Sequence, residues 1–92
     1  MVYVGLMFEC IPNRNWRWET ACHLFADTFQ ELHEFAEKIG LKRGWFQHEK
    51  KHLPHYDLTK NKRKLALRYG AIEADRKLEA EYIRKARHEL KS

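Results

Sequence analysis

The chain has 92 residues, 43% hydrophobic and 13% aromatic, with 18 Lys and Arg against 13 Asp and Glu and a formal net charge of +5. That length fits one domain and excludes two, and the apolar share excludes a wholly disordered tail. No stretch approaches the ~20 apolar residues that a membrane-crossing helix needs.

The first element is VYVGLMF, residues 2–8, a β-branched and aromatic run that predicts a strand with Gly5 at a bulge or close approach. Met1 to Phe8 is too short for a secretory hydrophobic region, and Cys10 and Cys22 lack a C-x-x-C spacing, so a reduced, cytoplasmic setting is expected. Pro12, Asn13 and Asn15 then predict a loop in which Arg14, Trp16, Arg17 and Trp18 interleave cations with aromatics. Such a mixture can stack on bases and contact phosphates, and it equally suits packing of Trp against a small core.

Ala21 to Ala26 predicts a second strand. Period-two alternation puts Cys22, Leu24 and Ala26 on one face and His23 and Phe25 on the other. Asp27 or Thr28 can cap the helix that follows, with Gln30 or Glu31 completing a capping box. Leu32, Phe35, Ala36 and Ile39 form its buried stripe, and Gly40 ends it.

Gly44 to His48, with Trp45 and Phe46, predicts a short third strand, followed by a basic, His-rich loop through Lys50, Lys51 and His52. If His55-Tyr56-Asp57 is extended, His55 and Asp57 share one side and Tyr56 takes the other. A second helix is predicted from Thr59 to Tyr69, burying Leu65, Ala66 and Tyr69 and stopping at Gly70, with a short strand at Ala71–Ala74. Its start carries Lys60, Lys62, Arg63 and Lys64, where the exposed N–H groups and helix dipole disfavour cations. This arrangement asks for an anion, phosphate first among them. From Asp75 onward Leu78, Tyr82, Ala86 and Leu90 make a narrow helical stripe, which can dock on the domain, pair with another subunit or serve as a partner-binding arm.

The residues that carry chemistry are His23, Asp27, His55 and Asp57, with His33 as a further candidate. Imidazole and carboxylate together suit a divalent metal, for which His23, His55 and Asp57 are the candidate ligands, and Lys62 or Arg63 could steady charge on a phosphate. A metal-free route would use His55 as general acid or base, oriented by Asp57. The structural alternative is that Asp57 caps the helix beginning at Leu58 or Thr59. His33, beside a buried stripe, is either a packed polar residue or a pocket member.

The runs CHLFADTFQELHEFAEKIGLKRGWFQ (Cys22–Gln47) and PHYDLTKNKRKLALRYGAIE (Pro54–Glu73), together with VYV at Val2–Val4, resemble a small bacterial and phage family catalogued as domain of unknown function 4031. The resemblance implies no particular activity. It marks two departures: an acidic residue often follows the family's first strand where this chain has Gly5, and the tail from Asp75 runs past the family core.

The expected fold is therefore α+β, a small sheet of three to four strands against two helices. Residues 1–74 would form the domain and 75–92 a C-terminal amphipathic helix. The expected function is nucleic-acid association. Arg14, Trp16, Arg17, Trp18, Lys60, Lys62, Arg63 and Lys64 would supply the grip, and a His/Asp site would make the protein a phosphodiesterase or endonuclease. The alternative is a non-catalytic phage or bacterial modulator that binds a host protein through its last helix and exposed aromatics, in the host cytoplasm if phage-encoded. A divalent metal ion is the candidate cofactor.

Overall fold

A computed structural model describes residues 1–14, 16–48 and 53–91, with the backbone alone for 86–91. Asn15, Lys50, Lys51 and His52, and the side chains of Ala86, His88 and Leu90, lie outside the described residues. The elements in order are β1 (Val2–Val4), β2 (Phe8–Glu9), β3 (Thr20–Ala26), α1 (Phe29–Lys38), a 3-10 turn (Arg43–Trp45), β4 (Tyr56–Leu58), α2 (Lys60–Arg68), β5 (Ile72–Glu73) and α3 (Arg76–Lys91). The class is α+β, with a mixed five-stranded sheet and three helices among the described residues.

β3 is the centre of the sheet. It pairs antiparallel with β1 (Val4↔Leu24), with β2 (Phe8↔Ala21) and with β4 (His23↔Asp57), and β5 lies parallel to β1. Three residues separate Val4 from Phe8 but two separate Leu24 from Ala21. The first strand therefore bulges at Gly5–Met7, while the Gly5 N–H still reaches the His23 carbonyl at 2.9 Å.

Both faces of the sheet are covered. On one, Val4, Cys22, Leu24, Tyr56 and Leu58 pack against Leu32, Phe35, Ala36 and Ile39 of the α1 segment and Ala66 of α2. On the other, Tyr3, Phe25, Leu53 and Ala74 pack against Leu78, Tyr82 and Ile83 of α3. The expected alternation along β3 holds, with Cys22 and Leu24 toward the first cluster and Phe25 toward the second. α3 docks on the sheet through its first two turns.

Local chemistry sets the helix limits. Thr28 caps α1: its hydroxyl accepts from the Glu31 N–H (3.2 Å) and donates to the Glu31 carboxylate (3.1 Å). Gly40 and Gly70 take positive φ after α1 and α2, letting the Leu41 and Ala71 N–H groups reach back to the Ala36 and Ala66 carbonyls.

Three expectations change. Gly44–His48 is not a strand: Arg43–Trp45 form a 3-10 turn, and only Gln47 finds a partner, bridging His55. Tyr69 is exposed at 53%, because α2 ends at Arg68 and buries Ala66 alone. Asp57 does not cap α2, since Thr59 occupies the cap and accepts from the Lys62 N–H at 3.2 Å.

Candidate metal centre

The register of β3 against β4 builds the site. His23 faces Asp57 directly across the ladder, and His55 lies two residues before Asp57 on the same side. His23 Nε2 stands 3.8 Å from Asp57 Oδ1, and His55 Nε2 stands 3.3 Å from the same oxygen. The two imidazole centroids are 4.1 Å apart. Ligand atoms from all three residues fall within 4.8 Å of one another, against the roughly 3.3 Å between neighbours around a tetrahedral zinc ion. The His55–Asp57 edge is already at that separation.

His55 and Asp57 are each held by their other polar atom. His55 Nδ1 donates to the Leu53 carbonyl at 2.5 Å, which leaves Nε2 toward Asp57: it donates to Oδ1 when the ring is protonated and offers a lone pair when the ring is neutral. Gln47 donates its amide N–H to Asp57 Oδ2, leaving Oδ1 toward the histidines. On the far side of the His23 ring, Nδ1 lies 3.6 Å from Glu79 Oε1 of α3, and the edge of Phe8 meets the ring at 5.0 Å.

The electrostatics match this packing. Burial alone pulls the His55 pKa down, but the Asp57 hydrogen bond, the Leu53 carbonyl and the Asp57 and Glu79 charges together outweigh it and hold the pKa above its ordinary value. Burial pushes Asp57 up, whereas its bonds to His55 and Gln47 and the charges of both histidines leave it below the ordinary carboxylate value. Behind the site, burial drives the Cys22 thiol up to about 12, which makes it a core residue and not a nucleophile.

Two histidines and one carboxylate on a half-buried patch could hold a divalent ion and would leave coordination positions open, as a catalytic zinc or non-haem iron site requires. Three of the four residues expected to carry chemistry are brought together. Asp27 is not one of them, because four residues along extended chain put it ~13 Å from His23. There it accepts from the Tyr82 hydroxyl at 2.5 Å and from the Met1 amino group at 3.1 Å. His33 sits on the other face, with Nδ1 2.7 Å from the Tyr56 hydroxyl; burial and then Arg43 lower its pKa.

The basic helix start is also divided. Lys62 Nζ donates to the Ile39 carbonyl at 2.6 Å, and Arg63 Nε donates to the Gly5 carbonyl at 2.9 Å while its guanidinium pairs with Glu73 at 3.3 Å. Lys60 and Lys64 stay exposed, on a helix that covers the sheet face opposite the His/Asp cluster. Residues 10–14 and 16–19 are better placed. They extend the β2–β3 hairpin, whose Phe8 touches His23. Trp16 packs edge-on against Trp18 at 4.7 Å and donates its indole N–H to the Thr20 carbonyl, and Arg17 lies over Trp18 at 4.9 Å. Trp18 keeps 41% exposure, and Arg14 and Arg17 are exposed.

Glu79 and Gln47 escape the strand-based reading of the sequence. The one sequence signal for Glu79 is its spacing, three and four residues before Tyr82 and Ile83, on the side of α3 that docks.

The fold and cluster define a small α+β protein with a two-histidine, one-carboxylate site on its sheet. The family described as "Protein of unknown function (DUF4031)" matches residues 9–87, and the chain belongs to it. The match runs through most of α3, so residues 76–87 lie within the family's length and 88–92 fall beyond the matched residues, while Val2–Val4 precede them. No curated protein and no solved structure matches the chain. Among the described residues, no helix is long and apolar enough to cross a membrane.

Proposed function

We propose that the protein is a divalent-metal-dependent phosphodiesterase that acts on nucleic acid, with His23, His55 and Asp57 as the metal ligands. The observation that carries this reading is the convergence of His23 Nε2, His55 Nε2 and Asp57 Oδ1, each with its remaining polar atom turned toward a different neighbour. A bound divalent ion would polarise a phosphoryl oxygen and lower the pKa of a coordinated water. The protein's part is to fix the open coordination positions and to present the substrate. Phe8, 40% exposed and in contact with His23, offers a stacking surface at the site, and Trp18 with Arg14 and Arg17 extends it along the hairpin. The net charge of +5 favours a polyanion.

The test uses single- and double-stranded oligonucleotides of DNA and RNA, incubated with the full chain and Mn2+, Mg2+ or Zn2+. Cleavage is expected with at least one ion, to stop on chelation, and to be lost in His55→Ala and Asp57→Ala variants that retain the wild-type circular dichroism. Binding should weaken between 50 mM and 200 mM salt as counterion release demands. Cleavage that survives chelation but needs His55 would move the work to the metal-free acid–base route. Absence of both binding and cleavage, or variants as active as wild type, would overturn the proposal.

A further inference from the structure

We infer that Glu79 is the positioning carboxylate of this centre, that position 5 is glycine so that the carboxylate can reach His23, and that ion binding is thereby coupled to docking of α3. The inference rests on the metal site proposed above.

Two atoms motivate it. His23 Nδ1 and Glu79 Oε1 are both shielded from solvent, both lack a hydrogen-bond partner, and lie 3.6 Å apart. Buried polar groups are costly when unpaired, and closing this gap by about half an ångström turns two orphans into one charge-assisted hydrogen bond. That bond would set the His23 tautomer, with the proton on Nδ1 and the lone pair on Nε2, the atom that faces Asp57. His55 has the same polarity through the Leu53 carbonyl. A ligand histidine whose second nitrogen donates to a carboxylate or carbonyl is the usual arrangement around metals, and here both histidines have such an acceptor.

Gly5 explains how Glu79 gets there. A Cβ at position 5 would fall on Glu79 Oε1 and crowd Cδ at 3.1 Å, so the carboxylate fills the space that any other residue's side chain would need. The bulge after β1 brings that space beside His23, through the Gly5 N–H bond to the His23 carbonyl. Glu79 follows Leu78 and precedes Tyr82 and Ile83, which among the described residues of α3 pack on the sheet, so it cannot reach His23 unless the helix is docked. An ion on His23 Nε2 strengthens the Nδ1–H donor, and by linkage it must tighten the docking of α3.

The test is Zn2+ titration of the full chain by calorimetry, with long-range proton–nitrogen NMR of the imidazoles. Glu79→Gln and Gly5→Ala should each weaken Zn2+ binding by about 10- to 100-fold, although neither touches a ligand. The double variant should be no weaker than Glu79→Gln alone, because the two changes remove one interaction. His23 should show the Nδ1–H tautomer in the wild type and lose it in both variants, while His55 is unchanged. Zn2+ should slow amide exchange in residues 76–85 of the wild type and not of the variants. If Gly5→Ala fails to fold, Glu79→Gln, which adds no heavy atom, carries the test. Wild-type Zn2+ binding with unaffected variants, or additive losses in the double variant, overturns this inference and leaves the proposed function standing. A wild type that binds none of Zn2+, Mn2+ and Mg2+ in the same calorimetric titration overturns both.

Discussion

The two faces of the sheet use the same strands for different ends. Against α1 and α2, β3 and β4 present Cys22, Leu24, Tyr56 and Leu58, all at 1% exposure or less, and the face is a continuous apolar core. Against α3, the alternate residues of the same strands are His23, His55, Asp57 and Phe25. Among the described residues, Tyr3, Phe25, Leu53 and Ala74 form the buried cluster there. One face holds the fold and the other holds the polar groups, and the pleat of a strand is what lets a few residues serve both. The contrast explains how a chain of 92 residues keeps several buried or half-buried ionisable side chains without losing its core.

The largest expected effect lies on the apolar face. Leu58→Ala, at 0% exposure between β3 and the helices, should cost about 2–5 kcal/mol, and Leu78→Ala on the half-buried side of α3 about 1 kcal/mol or less. Urea unfolding of the two variants measures both; equal losses would erase the distinction between the faces. On the polar face the order should invert. His55→Ala and Asp57→Asn should depress Zn2+ affinity by more than the ~10- to 100-fold typical of losing an orienting partner, while lowering stability less than Leu58→Ala does.

The smallest effect is pH-dependent. His55 is held above its ordinary value of 6.5, so its contribution is present below that pH and fades as pH rises through the folded-state value. Asp57 is held below its ordinary 3.8, so its contribution is present above that pH and fades on acidification through the folded-state value. The melting temperature of the metal-free wild type relative to Asp57→Asn should therefore peak between these limits. A difference that stays flat from pH 4 to 9 would show that the pair adds nothing to the folded state.

Much of this contrast was legible in the residues, because it is local. Period-two alternation put His23 opposite in facing to Leu24, and His55 on the side of Asp57. The capping box at Thr28 and the glycines after each helix marked the α1 and α2 boundaries. What failed was non-local. Nothing within the run from His52 to Lys64 says that Lys62 is already bonded to the Ile39 carbonyl and Arg63 to the Gly5 carbonyl and Glu73. The cations that seemed to ask for an anion are half spent on the fold itself. Asp27 looked like a site residue because it follows the histidine strand closely, yet extended chain carries it out of reach. Glu79 was missed for the converse reason: it is distant in sequence and arrives only because α3 lies across β3 and position 5 has no side chain.

The pairing of β1 with β5 has a kinetic consequence. Tyr3 lies beside Ile72 and Val4 beside Glu73, so this parallel pair joins segments from nearly opposite ends of the chain, and such distant contacts carry the largest loop-closure entropy. The antiparallel ladder of β3 with β1 and β2, and the packing of α1 directly after β3, close much shorter loops. Folding should thus complete the helical face early and seat β5, with α3 behind it, late. In refolding experiments the fluorescence and exchange signals of the α3 face should be the last to recover.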